Sequence, residues 1–280
     1  MTPLESRIGF MQGRLSPQVD GKIQAFPRDC WQAEFTAGSG LGFARLEWTL
    51  DHDGLSENPL MTDAGAAEIA DLVRSTGLKV SSITGDCFMQ APFWKSDGAA
   101  RRSLLADFQA VVRAGARSGA GLVVVPLVDN GGLTEPAHET ALIEGMEESA
   151  PLLRSTGVRV AFECDLEPER LAAFIARFPA DSFGVNFDIG NSASLGWDPD
   201  IEIPAIGPRI INVHVKDRVR GGTTVALGQG NADFPRVFRL LAQQRYGGFF
   251  ILQTARAADG DHAGVLARYR RLVLDLAEPA

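Results

Sequence analysis

The sequence predicts one α/β domain, a single (β/α)8 TIM barrel over residues 1–280, with its active site at the C-terminal ends of the strands. Short apolar runs alternate with longer helical segments along all 280 residues. This alternation implies parallel strands, and nearly continuous apolar runs imply strands buried on both faces. Eight strand–helix pairs, spaced roughly 30 to 40 residues apart, favour a closed barrel. A doubly wound open sheet is the alternative, but no glycine-rich dinucleotide turn follows the first strand.

The predicted strands are short runs of β-branched and other apolar residues, bounded by glycine, proline or polar residues. Several of these strands end on a residue with a carboxylate, an imidazole or an amide side chain. In chain order they lie at residues 7–12, 44–50, 78–84, 121–128, 159–165, 183–188, 210–214 and 248–253.

The predicted helices begin at polar residues that can cap a first turn, and several end at glycine. Asp29 can cap the first helix, and Thr62 or Asp63 can cap the second, which stops at Gly77. Residues 85–97 are predicted as a long loop. The helices are expected near residues 31–39, 63–77, 98–118, 138–155, 168–178, 200–206, 234–245 and 262–276.

Composition excludes several classes of function. A net charge of -8 argues against a broad surface for nucleic acid. No stretch has the length and hydropathy of a membrane span or a signal peptide. The cysteines Cys30, Cys87 and Cys164 lack the spacing of a metal finger and fit reduced thiols. We therefore expect a cytoplasmic protein without nucleic-acid or membrane partners.

Metal-type side chains lie at the ends of the last four strands, where Glu163, Asp188, His214 and Gln253 occur. These strands are neighbours in a barrel, and their C-terminal ends share one face, so the four side chains are expected to converge. An oxygen-rich set with one imidazole suits Mn²⁺, Mg²⁺ or Co²⁺ better than Zn²⁺. The pattern predicts a divalent-metal site formed by these four residues.

Each residue taken alone has a structural interpretation. A carboxylate at the end of a buried strand is costly unless it is paired, hydrogen-bonded or metal-bound, and Glu163 could pair with Arg14 or Lys216. Asp188 could cap a turn, and a single buried histidine such as His214 is often a satisfied core residue. The metal-site prediction therefore depends on the combination of residues.

Six segments of the chain resemble the xylose-isomerase-like TIM-barrel superfamily of sugar phosphate isomerases and epimerases, which includes AP endonuclease family 2. They run from the first predicted strand to the loop before the seventh helix. The segments are Ile8-Gly-Phe-Met-Gln-Gly-Arg-Leu15, Leu46-Glu-Trp48, Phe162-Glu163, Phe187-Asp-Ile-Gly-Asn191, Val213-His-Val-Lys-Asp217 and Leu227-Gly-Gln-Gly-Asn-Ala-Asp-Phe234.

The resemblance implies a divalent metal held by Glu163, Asp188, His214 and the residue that ends the eighth strand. In sugar epimerases of the family, glutamates on strands five and eight form an acid–base pair, but this chain has Gln253 at the second position. A glutamine amide can ligate a metal yet cannot accept a proton at neutral pH. Glu163 could act alone, or Glu47 at the end of the second strand could supply a second carboxylate.

Other polar and aromatic residues are predicted around the same face. Lys216 could polarise a substrate oxygen or form a salt bridge with a neighbouring aspartate. Arg14 and Arg256 could bind a phosphate or carboxylate group. Trp94 and Trp197 could form an apolar wall against a sugar ring, or pack their loops onto the barrel. Asn191 and Asp217 lie in the segments that carry the resemblance and are further candidates for substrate binding.

These features predict a metal-dependent isomerase or epimerase acting on a small sugar, polyol or sugar phosphate through an enediolate-type proton transfer. A lyase or dehydratase using the same metal site is one alternative, and a non-catalytic sugar-binding barrel is another. An endonuclease is disfavoured because the chain has only four histidines for a multi-metal centre and a net charge of -8. A homo-oligomer is compatible with aromatic loops.

Overall fold

The computed structural model describes residues 3–277 and contains a closed barrel of eight parallel strands with helices between them. The first barrel strand pairs with the last, Ile8 opposite Phe250 and Phe10 opposite Leu252, which closes the sheet. The predicted TIM barrel is therefore confirmed, and an open sheet is excluded. The barrel strands are β1 (Ile8–Met11), β2 (Arg45–Thr49), β3 (Lys79–Thr84), β4 (Leu122–Leu127), β5 (Arg159–Cys164), β6 (Phe183–Asp188), β7 (Ile210–Val215) and β10 (Phe249–Leu252).

Helices surround the barrel and supply the outer half of the apolar core. Phe162 on β5, for example, packs against Phe174, Phe178 and Phe183 with ring centroids 5.0 to 5.9 Å apart. Within residues 3–277, no helix combines the length and apolar character needed to span a bilayer. The helices are α1 (Ala33–Gly40), α2 (Asp63–Thr76), α3 (Asp86–Gln90), α4 (Gly98–Ser118), α5 (Pro136–Thr156), α6 (Pro168–Ile175), α7 (Ile189–Leu195), α8 (Pro199–Ile206), α9 (Phe234–Gln243) and α10 (His262–Ala277).

Helix capping agrees with the sequence at α2 and differs at α1. The Oγ1 of Thr62 accepts a hydrogen bond from the backbone N–H of Gly65 at 3.1 Å, and Gly77 ends the helix with a positive φ of 75°. The first helix starts at Ala33, after Gln32, and receives no side-chain cap. The predicted cap at Asp29 is therefore wrong, because residues 29–32 form turns and the helix begins only at Ala33.

Three short features at the C-terminal face were not predicted. The segment 85–97 contains α3, and α7 follows β6 directly, with the Asp188 carboxylate accepting a hydrogen bond from the Asn191 N–H at 2.8 Å. After β7 the chain forms a small antiparallel hairpin of β8 (Asp217–Arg218) and β9 (Thr224–Val225). A helix of seven residues and strands of two are too short for periodicity to reveal.

A network of polar side chains crosses the interior of the barrel. Ser82 on β3 and Asn212 on β7 both donate hydrogen bonds to Oε2 of Glu47 on β2, at 2.7 and 3.1 Å. Asn212 also donates to Oδ1 of Asn186 on β6 at 2.9 Å. Since β2 and β7 are not adjacent strands, these bonds cross the barrel. Glu47 and Asn186 of this network contact the two ring nitrogens of His214.

Candidate functional site

A cavity of about 260 Å³ opens at the C-terminal face of the barrel. Loops after most of the strands contribute to its wall, as expected for the active-site face of this fold. Its lining is polar, with both carboxylates and cations. The lining residues are Ile23, Gln24, Thr84, Asp86, Met89, Gln90, Pro126, Val128, Asp129, Glu163, Asp165, Asn191, Lys216, Arg218 and Gln253.

Three of the four predicted metal ligands converge beside this cavity. Glu163 on β5, Asp188 on β6 and His214 on β7 each offer one ligand atom, and these atoms all lie within 4.8 Å of one another. All three side chains are buried. Parallel pairing brings the ends of these three strands together, with Asp188 opposite His214 in the register.

Hydrogen bonds on both ring nitrogens orient His214. Its Nε2 lies 2.6 Å from Oε1 of Glu47, and its Nδ1 lies 3.1 Å from Oε2 of Glu163 and 4.0 Å from Oδ2 of Asp188. Burial lowers the pKa of His214, but the charges and hydrogen bonds of Glu47 and Glu163 outweigh it and raise the pKa to about 10. The ring therefore directs Nδ1 toward the two carboxylates.

Asparagine side chains hold the Glu163 carboxylate. Asn186 donates to Oε2 at 2.7 Å, and Asn191 donates to Oε1 at 2.8 Å. The Asn191 carbonyl oxygen in turn accepts a hydrogen bond from Arg218 at 2.8 Å. Both carboxylate oxygens are thus fixed in a defined plane, which is the precision that a metal ligand or a catalytic base requires.

The donor set fits a divalent cation. Two carboxylates and one imidazole nitrogen are the ligands that Mn²⁺, Mg²⁺, Co²⁺ and Zn²⁺ accept in proteins. Because Nε2 of His214 is hydrogen-bonded to Glu47, Nδ1 is the ring nitrogen that faces the carboxylates of Glu163 and Asp188. This carboxylate–histidine arrangement is the usual support of a metal-binding imidazole.

Lys216 and Gln253 lie next to the three converging residues and line the same cavity. The Lys216 ammonium donates to Oδ2 of Asp188 at 3.0 Å and to Oε1 of Gln253 at 3.4 Å. Both side chains line the cavity, and Gln253 follows β10 directly. The predicted alternative of a Lys216 salt bridge to Asp188 is thus present, and it leaves the ammonium at the cavity. Ligation by Gln253 stays a prediction.

The electrostatics of the cavity favour a cation. Burial raises the pKa of Asp86 to about 6, and the nearby carboxylates of Asp51 and Glu163 add to the rise against a hydrogen bond from Gln24. Carboxylates gathered around one cavity create a negative potential, which a metal ion relieves.

The arginines predicted to bind an anion are used within the fold. Arg14 is 3% exposed and donates to the carbonyls of Thr254 and Ile23 and to the side chain of Gln24. Arg256 donates to the Ser16 carbonyl at 2.5 Å. Neither lines the cavity. Arg14 lies in the β1–α1 loop, and Arg256, which follows β10, donates to that loop. Anion binding by the two arginines stays a prediction.

The predicted aromatic residues also lie away from the cavity. Trp94 is 2% exposed, packs on Phe93 and donates its indole N–H to the Gly131 carbonyl at 2.9 Å. Trp197 lines a separate cavity of about 230 Å³ on the outer side of β6, near Arg220 and Arg236. Packing of the loop onto the barrel, the alternative considered for Trp94, is the arrangement observed.

Glu47 and Asp217 have buried partners that define their positions. Glu47 lies in the middle of β2, not at its end as predicted, and is fully buried below the His214 ring. Asp217 is fully buried and accepts backbone hydrogen bonds from Gly228, Gly230 and Ala232 at 2.8 to 3.1 Å. Neither carboxylate lines the cavity. Direct contact of either with substrate stays a prediction that this geometry does not favour.

Sequence reasoning missed Asn186, Arg218 and Gln24, all of which contact site residues. Asn186 lies two residues before Asp188 and so on the same face of β6, a signal that strand periodicity could have revealed. Arg218 follows Lys216 by two residues in the hairpin. Gln24 lies in an irregular loop, where no pattern predicts which side chain turns inward.

Comparisons with known proteins agree with this fold. A model of the xylose isomerase-like TIM barrel family matches residues 35–271. L-ribulose-5-phosphate 3-epimerase UlaE from Escherichia coli O1:K1 / APEC is 26% identical over 255 residues, covering 86% of this chain and 88% of that protein.

Two solved structures share the architecture. A xylose isomerase-like TIM barrel protein from Mycobacterium smegmatis, in complex with magnesium, has a TM-score of 0.71 at 20% identity, covering 97% of this chain and 96% of that one. The IOLI protein with a binding zinc atom has a TM-score of 0.75 at 15% identity, covering 97% and 98% of the two chains. At these identities the likeness establishes the fold.

Proposed function

The chain belongs to the xylose isomerase-like TIM-barrel family, and we propose that it is a divalent-metal-dependent isomerase or epimerase of a small sugar, polyol or sugar phosphate. The observation that carries the proposal is the convergence of ligand atoms from Glu163, Asp188 and His214 within 4.8 Å, at the edge of the cavity. The similarity to an L-ribulose-5-phosphate 3-epimerase supports the reaction class.

Glu163, Asp188 and His214 would hold the metal, with Gln253 as a further oxygen donor. A bound divalent cation would polarise a substrate carbonyl and stabilise the negative charge that develops when a neighbouring C–H bond loses its proton. Mn²⁺, Mg²⁺ and Co²⁺ suit the oxygen-rich set better than Zn²⁺. The structural neighbours solved with magnesium and with zinc support a divalent ion as the cofactor.

Glu163 is the proposed base. Its carboxylate lines the cavity, and both oxygens are oriented by asparagine amides, at 2.7 Å from Asn186 and 2.8 Å from Asn191. A general base must be held within reach of the proton that it removes, and this pair of hydrogen bonds fixes it there. Glu163 would take the proton from the carbon next to the carbonyl and return it to the neighbouring carbon, which isomerises the sugar. Epimerisation would need a second group to return a proton to the opposite face of the first carbon.

Lys216 is the proposed second proton-handling group. Its ammonium lies at the cavity between Asp188 and Gln253, at 3.0 and 3.4 Å. An ammonium can donate a hydrogen bond or a proton to an oxygen that gains negative charge. The amide of Gln253 cannot act as an acid in this way. For epimerisation, Lys216 would also have to deliver a proton to the carbon on the face opposite Glu163, which is the step that the second glutamate performs in related epimerases.

The same pair of groups would serve a lyase or dehydratase. Proton removal by Glu163 beside a carbonyl can be followed by loss of a hydroxyl from the next carbon, and Lys216 is placed where it could protonate that leaving group. The isomerase reading is preferred because the relative with substantial sequence coverage carries an epimerase name. A non-catalytic sugar-binding barrel would not need the oriented base. A single domain over residues 1–280 and a cytoplasmic location remain part of the proposal.

Conversion of sugars by the purified protein tests the proposal. The protein is stripped with EDTA, reloaded with Mn²⁺, and incubated with L-ribulose 5-phosphate, L-ribulose and a panel of other ketoses and aldoses, with products identified by NMR. We expect conversion of at least one sugar to an isomer or epimer, only with metal. A dehydrated product would select the lyase, and an unchanged panel with metal bound would contradict both enzymatic readings.

A further inference from the structure

The amide of Gln253 is hydrogen-bonded on both sides. Its Nε2 donates to Oε1 of Gln24 at 2.9 Å, and its Oε1 accepts from Lys216 at 3.4 Å. Gln24 comes from the β1–α1 loop, far from β10 in the chain, and reaches across the mouth of the barrel. The amide of Gln253 is therefore oriented by Gln24, a residue that the family resemblance did not indicate.

Two charged groups fix which way the Gln24 amide faces. Arg14 donates from Nη2 to Oε1 of Gln24 at 3.1 Å, and Nε2 of Gln24 donates to Oδ2 of Asp86 at 2.6 Å. Arg14 is itself held by bonds to the Thr254 and Ile23 carbonyls, at 2.9 and 3.0 Å. A flipped amide would set donor against donor at Arg14 and acceptor against acceptor at Asp86, and both unpaired contacts are costly at buried sites.

The fixed orientation of Gln24 determines what position 253 must present. Oε1 of Gln24 faces Gln253, so the atom of residue 253 that meets it has to be a donor. An amide satisfies this with its N–H and leaves its oxygen for Lys216. A carboxylate would set two acceptors against each other, at the cost of an unsatisfied polar contact at a partly buried site.

We propose that Gln24 is a positioning residue that holds the Gln253 amide with its oxygen toward Lys216, so that this barrel mouth is adapted to an amide, and not to a carboxylate, at position 253. The functional part rests on the proposed role of Lys216 in catalysis. The substitution of the second glutamate is then part of a matched arrangement that includes Arg14, Gln24 and Asp86.

A double-mutant cycle in thermal unfolding tests the matched arrangement without any assay of activity. Gln253→Glu is made in the natural chain and in the Gln24→Met variant. We expect it to lower Tm by about 3 °C or more in the first and by less than about 1 °C in the second. Gln253→Met, which removes the amide without adding a charge, should lower Tm less than Gln253→Glu in the natural chain.

The chain supplies a matched control in Gln90. Its amide also lies at the cavity, but it bonds to Asp51 and to the backbone N–H of His52. In a Gln90→Met chain, Gln253→Glu should lower Tm as much as in the natural chain. A cycle with Gln24 that is additive, or no different from the cycle with Gln90, overturns the proposal.

The positioning role predicts a change in kcat more than in KM. Gln24→Met should lower kcat about tenfold or more and change KM less than about threefold, because the lysine would lose a fixed partner while Glu163, Asp188 and His214 remain in place. Gln32→Met, at an exposed bond to Glu68, should leave both unchanged. A natural kcat in Gln24→Met overturns the positioning role. If the natural chain converts no sugar, the proposed function fails, and the thermal cycle still decides the arrangement.

Discussion

Oε1 of Glu47 lies 2.6 Å from Nε2 of His214, and both side chains are fully buried. The other carboxylate oxygen of Glu47 accepts hydrogen bonds from Ser82 and Asn212. The carboxylate therefore cannot turn away from the ring, and the ring cannot turn its Nδ1 away from Glu163 and Asp188. Glu47 on β2 thus determines that His214 on β7 presents Nδ1, and not Nε2, as its possible metal ligand.

Glu47→Gln should weaken metal binding. An amide N–H facing Nε2 would favour the tautomer with its proton on Nδ1, and Nδ1 could then no longer ligate a cation. We expect the dissociation constant for Mn²⁺, measured by calorimetry, to rise about 10- to 100-fold. Ser82→Ala, which removes only a bond to Oε2, should have a smaller effect. Natural affinity in Glu47→Gln would mean that Nδ1 is not a ligand.

Lys216→Met should separate catalysis from metal binding. Removing the ammonium eliminates the proposed proton donor, so kcat should fall about 100-fold or more. It also removes a cation 3.0 Å from Oδ2 of Asp188, so Mn²⁺ affinity should stay the same or increase. Lys79→Met, at the exposed first residue of β3, is the control for loss of a lysine. A loss of metal together with activity would identify Lys216 as a support of the metal site.

Asp217→Asn should destabilise the chain through the loop after β9. The Asp217 carboxylate accepts three backbone N–H groups, and an amide can replace only part of that acceptor capacity. We expect the free energy of unfolding in urea to fall by about 2–4 kcal/mol. Asp20→Asn, at an exposed position, should change it little. Natural stability combined with a raised KM would instead support the predicted contact of Asp217 with substrate.

Glu202→Gln should change how stability depends on pH. Glu202 on α8 is 5% exposed and accepts a hydrogen bond from Ser192, and burial raises its pKa from 4.5 to about 7. The folded chain keeps this proton up to about pH 7, whereas the unfolded chain releases it near 4.5. The contribution of Glu202 to stability is therefore present below pH 4.5 and is lost as pH rises toward 7.

The glutamine variant lacks this loss. Relative to the natural chain, Glu202→Gln should gain stability between pH 4.5 and 7, by up to about 3 kcal/mol. Urea unfolding at several pH values measures the difference, with Glu148→Gln on the exposed side of α5 as the control. A difference that stays constant over this range would show that Glu202 does not keep its proton in the folded state.

The sequence predicted the barrel and the three converging ligands because both follow from regular geometry. Parallel strands bring their ends to one face, so Glu163, Asp188 and His214 could be grouped without coordinates. Strand periodicity also places Asn186 on the same face of β6 as Asp188.

Other features depend on packing that no local pattern encodes. Trp94 lies in a segment that looks like a loop, yet its ring is buried against Phe93 and the helical layer. Gln24 contacts Gln253 across 229 positions of sequence, through a loop without periodicity. The function of position 253 could be questioned from the sequence, but its hydrogen-bond partners could be identified only in the folded chain.

Exchange of hydrogen with solvent tests the central claim most directly. In D₂O with Mn²⁺, the natural chain should introduce deuterium at the carbon next to the carbonyl of the sugar that it converts, followed by NMR. Glu163→Gln should introduce none, while Glu167→Gln, an exposed neighbour in the chain, should exchange as the natural protein does. Exchange or conversion that persists in Glu163→Gln would contradict proton transfer by Glu163, because an amide cannot accept the proton.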